Sequence, residues 1–192
     1  MQLFDDANPP GDPLKQWYEQ FLVPTALILT CLMDAGSTPC GGSGIPEANV
    51  LAWAEQGPGR LVLVNRNWDG KERGALFQEE KTGLPRDVEY FVNGYHFDGP
   101  GPGGILIDAK GPGYARFVGD DGKFQGWFVG SEGGQGMLKE AGNQIRAAPQ
   151  GSPIVWLVAE ERAQQAMIKF LSDNGFEGIN VVYSPPGVNP WP

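Results

Sequence analysis

The chain of 192 residues has a single histidine, His96, and only two cysteines, Cys31 and Cys40. A Ser/His/Asp or Cys/His mechanism would have to use His96, and we interpret that residue as structural. The cysteines lack a Cys-x-x-Cys spacing, so a disulfide and two free thiols both remain open. The patterns GxxxxGK[ST] and GxGxxG are also missing, which argues against a nucleotide-binding enzyme.

Long apolar runs are missing as well. The most apolar stretch, residues 21–33, is interrupted by Pro24 and is shorter than the roughly 20 residues that span a bilayer. It predicts a buried helix and no stable membrane insertion, with a membrane-active segment as the alternative. Residues 1–13 are acidic and proline-rich, so we expect no signal peptide, which would need a basic start.

Positive charge is scarce, with 14 Lys and Arg against 23 Asp and Glu and a net charge of -9. Proteins that bind nucleic acid usually carry a basic patch, so this balance counts against such a partner. Net charge does not say where charges lie, however, and a carboxylate-rich metal site would add negative charge. An acidity that serves solubility alone is the other interpretation.

Glycine and proline are abundant, at 29 and 17 residues, and they divide the chain into short elements. We interpret residues 1–69 as a helical and irregular N-terminal extension, with its main helix at 14–32 and a glycine-rich connector at 36–44. Residues 70–192 form the predicted functional domain. Helices are predicted there at 71–81, 137–148 and 161–174, and strands at 88–92, 95–97, 105–110, 154–159 and 179–183. This alternation predicts an α/β fold.

The dipeptide Asn93-Gly94 is a strong signal for a tight β-hairpin. If these two residues form the turn, Glu89 and Asp98 face each other across the strands. Directly opposed carboxylates repel, unless a cation lies between them or one is protonated. The alternative is that both side chains extend into water at the strand end. His96 is expected to face away from both.

The strand at 105–110 adds two further polar groups. Because the period of a strand is two, Asp108 and Lys110 share one face. Together with Asp98, across the turn-rich loop at 99–104, they can converge at one edge of a sheet. Asp98, Asp108 and the backbone carbonyl of Ala109 suit Mg²⁺, which prefers oxygen ligands. Lys110 would then orient or deprotonate an attacking water and offset charge on a phosphate.

These segments resemble the restriction-endonuclease-fold toxin family 5, in the PD-(D/E)xK nuclease superfamily. The residues that carry the resemblance are 89–94 (EYFVNG), 97–99 (FDG) and 106–114 (LIDAKGPGY), with Arg73-Gly74, Gln78, Thr82-Gly83, Glu140-Ala141, Gln144 and 153–156 (PIVW). The resemblance covers roughly residues 70–184. It implies a restriction-endonuclease-like core, with a mixed central sheet flanked by helices, and a DNase that uses Mg²⁺ or Mn²⁺.

By position, the resemblance makes Asp98 the first acid of the motif, Asp108 the second and Lys110 its lysine. The family more often has Glu as the second acid, so the shorter Asp108 side chain would place the ion slightly differently. Many superfamily members add a carboxylate from a helix. Glu79 is the nearest candidate for that metal ligand, and Glu72 and Glu80 compete with it.

Four other side chains are candidates for substrate contact, and three of them have an alternative interpretation. Gln144 either reaches the scissile phosphate or makes an interhelical hydrogen bond. Arg146 either binds phosphate or is solvated. Arg116 is a candidate for contact with the DNA backbone. Tyr114 either contacts the DNA backbone or packs in the interior. The six tryptophans are scattered and are expected to lie in the core.

The resemblance also implies a biological role, because its members are toxin domains of bacterial polymorphic toxins and type VI secretion effectors. The implied protein is secreted by its producer, with a carrier or chaperone of the secretion apparatus. It is delivered into a target bacterium, where it cuts DNA in the cytoplasm. A cognate immunity protein would protect the producer. An RNase of the same fold and a catalytically inactive binding module are the alternatives.

Overall fold

The structure is a computed structural model, and it describes residues 45–191. The predicted helix at 14–32, the connector at 36–44 and the two cysteines lie outside the described residues. Residues Ser43–Pro192 belong to one compact unit.

Five helices and seven strands follow one another within residues 45–191. The helices are α1 (Glu47–Gln56), α2 (Glu72–Thr82), α3 (Gly126–Val129), α4 (Glu132–Ala147) and α5 (Glu161–Asp173). The strands are β1 (Arg60–Leu63), β2 (Val88–Val92), β3 (Tyr95–Phe97), β4 (Gly99–Pro100), β5 (Leu106–Lys110), β6 (Ile154–Val158) and β7 (Ile179–Tyr183). Short 3-10 helices form at Pro102–Gly104 and Ala115–Phe117.

The strands form two sheets that meet at Asp98. Strands β1, β2 and β3 form an antiparallel sheet in that order, and β4, β5, β6 and β7 form a second one. In the second sheet β4 is antiparallel to β5, whereas β5, β6 and β7 are parallel. Asp98 lies between β3 and β4, and its amide donates to the carbonyl of Ile107 at 2.9 Å. The predicted α/β class with a mixed sheet flanked by helices is confirmed.

The predicted hairpin forms with the predicted turn. Asn93 and Gly94 have φ angles of 47° and 86°, which suits a type I′ turn because that turn needs positive φ at both central residues. The register follows, with Val92 opposite Tyr95 and Tyr90 opposite Phe97. This turn sends the chain directly back toward β5 and so brings Asp98 to the edge of the second sheet.

The parallel strands are covered on both faces. All five residues of β6 are buried, as expected for a parallel strand with helices on each side. On one face, Leu106 and Trp156 pack in a cluster with Ala141 of α4 and Met167 of α5. On the other face, α2 packs against β5, and Phe77 lies beside the backbone that follows β5.

Several predicted bounds match the structure, including 88–92, 95–97 and 179–183. Helix α4 begins five residues earlier than predicted, because Ser131 caps it by accepting a hydrogen bond from the amide of Gly134. Strand β4 and helix α3 were not predicted, since elements of two and four residues are too short to show a period. Strand β1 precedes residue 70 and pairs with β2. Between residues 45 and 191, no helix is both long and apolar enough to cross a bilayer.

Candidate catalytic site

Asp108 and Lys110 project from the end of β5 on the same face, as their spacing predicted. Both are almost fully buried, with 5% and 6% of their surface exposed. The ammonium nitrogen of Lys110 lies 2.5 Å from Oδ1 of Asp108. It also lies over the ring of Trp156, 4.4 Å from its centroid, which adds a cation–π contact. A carboxylate and an ammonium are thus held together in the interior.

Asp98 approaches β5 through the backbone. Its Oδ2 accepts a hydrogen bond from the amide of Ala109 at 2.7 Å. Backbone groups alternate in direction along a strand, so the carbonyl of Ala109 points to the same side as that of Ile107, which binds the amide of Asp98. The carboxylate of Asp98 and the carbonyl of Ala109 therefore lie on the same edge of β5.

Gln144 reaches this cluster from α4 and is fully buried. Its Nε2 donates to Oδ2 of Asp108, and its Oε1 accepts from the indole N–H of Trp156 at 2.6 Å. The bond therefore runs from helix to strand and not between helices. Gln144 orients Asp108 directly, and both polar atoms of its amide have a protein partner.

Glu140 is a member of the cluster that the sequence reasoning did not place in the site. Its Oε2 lies 2.6 Å from the ammonium nitrogen of Lys110. It precedes Gln144 by four residues on α4, and that spacing puts two side chains on one face of a helix. The i, i+4 pair of Glu140 and Gln144 was therefore the signal that could have identified it.

The pKa values of Asp98, Glu140 and Lys110 are all raised in this cluster. Burial, followed by the charge of Asp108, raises the pKa of Asp98 well above its usual range. The same two causes raise the pKa of Glu140 to about 7. Burial opposes the charge of Lys110, but the carboxylates of Asp108 and Glu140 outweigh it and raise its pKa well above the usual value. Two carboxylates, those of Asp108 and Glu140, contact the single ammonium of Lys110.

Two tyrosines line the cluster. Burial, together with the charges of Glu140 and Asp108, raises the pKa of Tyr95 to about 12. Burial also raises the pKa of Tyr114, which is influenced by the charges of all four ionisable groups of the site. The loop that carries Tyr114 is fixed by Glu160, whose Oε2 accepts from the amides of Gly113 and Ala115 at 2.8 and 2.9 Å.

Glu89 lies apart from the cluster, although the sequence had predicted it opposite Asp98. The β2–β3 ladder ends at the pair Tyr90–Phe97, because Asp98 turns away to bind β5. Glu89 is instead held by two hydrogen bonds from Arg66, and its Oε2 lies 3.1 Å from Nδ1 of His96. Its buried charge is therefore balanced within this group.

The expectation that His96 faces away from Glu89 was wrong. His96 pairs with Phe91, and residues two apart on a strand share a face. Glu89, Phe91 and His96 therefore lie on one face of the hairpin. His96 serves as a partner of a buried carboxylate.

The other predicted site residues bind elsewhere. Glu79 accepts from Nε and Nη2 of Arg86 at 3.0 and 2.8 Å, so the structure does not bring it to Asp98 and Asp108. Its competitors are also engaged, Glu72 by the amide of Gly70 and Glu80 by Lys81.

The basic residues considered for phosphate binding lie at the surface. Arg146 is exposed and binds Asn143. Arg116 is also exposed and lies over the ring of Phe117, 4.6 Å from its centroid. Trp127 corrects a further expectation, since 60% of its surface is exposed and it does not lie in the core.

The oxygen groups at the end of β5 fit a divalent cation of the Mg²⁺ type. Such an ion is usually held by one or two carboxylates and keeps several waters, and Asp98, Asp108 and the carbonyl of Ala109 offer such a set. Oδ1 of Asp108 is paired with the ammonium of Lys110 at 2.5 Å and makes no further hydrogen bond among the described residues. No group of three or more His, Cys, Asp or Glu side chains within residues 45–191 forms a ready metal cage. An ion here would therefore keep much of its hydration.

The search for relatives gave no match, either to a model of a known protein family or to a curated protein. The resemblance to the toxin family therefore rests only on the sequence segments that carry it. Function is inferred from the geometry at the end of β5.

Proposed function

We propose that this protein is a metal-dependent endonuclease of the PD-(D/E)xK type that acts as an interbacterial effector toxin. The observation that carries the proposal is the group of Asp98, Asp108 and Lys110 at the end of β5, in which Asp108 and Lys110 are buried and lie 2.5 Å apart. Buried charges are costly and persist where structure or function requires them. The arrangement of strands and helices around this group supports the same assignment.

Asp98, Asp108 and the carbonyl of Ala109 would hold Mg²⁺ or Mn²⁺. When bound, the ion lowers the pKa of a coordinated water and stabilises charge on the phosphate. Gln144 keeps the carboxylate of Asp108 in one orientation, and this restraint holds a metal ligand in place.

Lys110 acts as a cation in this proposal. In the metal-free protein its pKa lies well above the usual lysine value, because the carboxylates of Asp108 and Glu140 outweigh the effect of burial, so it carries a proton at neutral pH. A protonated lysine is poorly suited to accept a proton from water. It is well suited to stabilise the negative charge that develops on a phosphate in the transition state, and Glu140 orients it from the other side.

DNA is the proposed substrate, and the protein would act in the cytoplasm of the target bacterium after secretion by the producer. A cognate immunity protein and a carrier or chaperone of the secretion apparatus are the proposed partners. An RNase of the same fold uses the same chemistry and is the second candidate. A catalytically inactive binding module is less well supported, because such a module has no need of buried charges.

The proposal is tested by incubating the full chain with plasmid DNA and, separately, with RNA, each in Mg²⁺ or in EDTA. We expect Mg²⁺-dependent loss of the plasmid. Lys110→Ala and Asp98→Ala should each reduce the rate by at least about 100-fold, the typical effect of removing one electrostatic catalytic group. Glu79→Ala is the matched control, because Glu79 binds Arg86, and it should keep most of the activity.

Two results would contradict the assignment. If both substitutions left cleavage unchanged, the site would be elsewhere. If RNA alone were degraded, the RNase alternative would replace the DNase.

A further inference from the structure

Trp127 is the most exposed aromatic side chain in the part of the chain that the structure describes, with 60% of its surface open to solvent. Large aromatic side chains are mostly buried in folded proteins. The exposure of an indole ring on the short helix α3 therefore requires an explanation.

Aromatic rings connect Trp127 to the candidate catalytic site. The ring of Phe117 lies 5.6 Å from that of Trp127 and 6.4 Å from that of Tyr114, both edge to face. Tyr114 follows Lys110 by four residues and packs against the core cluster that contains Trp156, whose ring lies beneath the ammonium of Lys110. We call Tyr114, Phe117 and Trp127 the aromatic row, and it leads from the catalytic cluster to the surface.

The orientation of Trp127 is fixed although its ring is exposed. Its indole N–H donates to Oε1 of Gln125 at 2.7 Å, and its ring meets that of Phe128 edge to face at 6.3 Å. Phe128 is buried and stacks on Phe117 at 4.4 Å. An exposed ring that is held in place by a buried ring is preorganised, so it can bind a flat partner with little loss of side-chain entropy.

The row carries positive charge and little other apolar surface. Arg116 is exposed and lies over Phe117, so a cation accompanies the rings. The chain neighbours of Trp127 on its N-terminal side are Gln125 and Gly126, which add no apolar side chain. A second protein would be expected to need a broader apolar patch than one ring. Rings with an adjacent arginine are instead the usual platform for nucleic-acid bases and phosphates.

We propose that the aromatic row binds unstacked bases of a single-stranded nucleic acid whose backbone enters the catalytic site. This inference rests on the proposed function, because it assumes a nucleic-acid substrate. Trp127 stacks on one base and Arg116 contacts the neighbouring phosphate. In a duplex the bases are already stacked on each other, so the row gives the enzyme a preference for single strands.

Binding can be measured apart from cleavage, in EDTA and with the Asp108→Asn variant of the full chain. The probes are a fluorescent oligodeoxythymidine and a labelled hairpin duplex of the same length, followed by fluorescence polarisation. We expect tighter binding of the oligodeoxythymidine. Trp127→Ala should weaken it about tenfold, as expected for the loss of one stacked base, and Trp127→Phe should retain most of the affinity.

Tyr183→Ala provides the matched control, because Tyr183 is also an exposed aromatic residue, at 41%, on strand β7. It should leave binding unchanged. Thermal unfolding of each variant reports whether the fold is intact.

The proposal is overturned if Trp127→Ala binds the single strand as well as the parent does, if the duplex binds equally or more tightly, or if neither probe binds. It is also overturned if Trp127→Ala changes only self-association, measured by sedimentation. Binding that depends on Trp127, without any cleavage by the parent chain in Mg²⁺, would defeat the proposed function and leave only the binding of single strands by the aromatic row. Cleavage that is unchanged in Trp127→Ala would overturn this inference and leave the proposed function standing.

Discussion

Gln144 connects the candidate site to the hydrophobic interior through one amide group. It donates to Asp108 and accepts from Trp156, and all three side chains are buried. The amide satisfies both neighbours at once, which a carboxylate or an alkyl side chain cannot do. The residue therefore contributes to stability and to the orientation of a proposed metal ligand.

We predict that Gln144→Ala lowers the free energy of unfolding by about 1–3 kcal/mol, because a buried donor and a buried acceptor lose their partner. The rate of nucleic-acid cleavage should fall about 10- to 100-fold, the size expected when a partner of a metal ligand is lost. Urea unfolding and a cleavage assay measure the two effects.

Gln135→Ala is the control, since Gln135 lies on the same helix and is exposed. It should change neither quantity appreciably. If the two variants behaved alike, Gln144 would have no special role in orienting Asp108.

The sequence predicted some members of the site and not others, and the reasons are geometric. Asp108 and Lys110 were predicted together because strand period alone determines their shared face. Glu140 lies on a helix that is distant in sequence from β5, and no local sequence pattern indicates which helix packs against which strand. Glu79 and Glu89 were attractive as carboxylates, but their arginine partners Arg86 and Arg66 were not identifiable from spacing.

At the scale of elements, the contact between α2 and β5 decides how the site edge is supported. A Cβ atom on Gly111, directly after β5, would lie 2.9 Å from the Cα of Gly74 in α2. The helix can approach the strand this closely only because Gly111 lacks a side chain. Its neighbours Lys110 and Ala109 belong to the candidate site.

We predict that Gly111→Ala destabilises the fold by about 1–3 kcal/mol, because the added methyl group forces α2 away from β5. The reverse position is a matched control, since a Cβ on Gly74 would meet nothing within 4 Å. Gly74→Ala should be neutral or stabilising by up to about 1 kcal/mol, as alanine favours a helix over glycine.

Thermal or urea unfolding of the two variants gives the comparison. Equal stabilities would mean that the close approach of α2 to β5 makes no contribution. The sequence predicted both elements within one residue of their bounds, but this contact depends on tertiary packing and has no local signature.

At the scale of the whole molecule, the chain has a net charge of -9. This charge and the carboxylates of the candidate site both favour the binding of a cation. Asp108 and Glu140 share the ammonium of Lys110. Burial, followed by repulsion from the charge of Asp108, raises the pKa values of Asp98 and Glu140. A divalent cation would relieve this repulsion. Because it would bind the folded chain in preference to the unfolded one, it would also stabilise the fold.

The central claim is that Asp98 and Asp108 together hold a divalent ion, and a calorimetric titration of the full chain with Mn²⁺ tests it most directly. We expect a saturable site that Asp98→Asn and Asp108→Asn each abolish and that Glu79→Gln preserves. Saturable binding that persists unchanged in both aspartate variants, or no binding by the parent chain, would contradict the account.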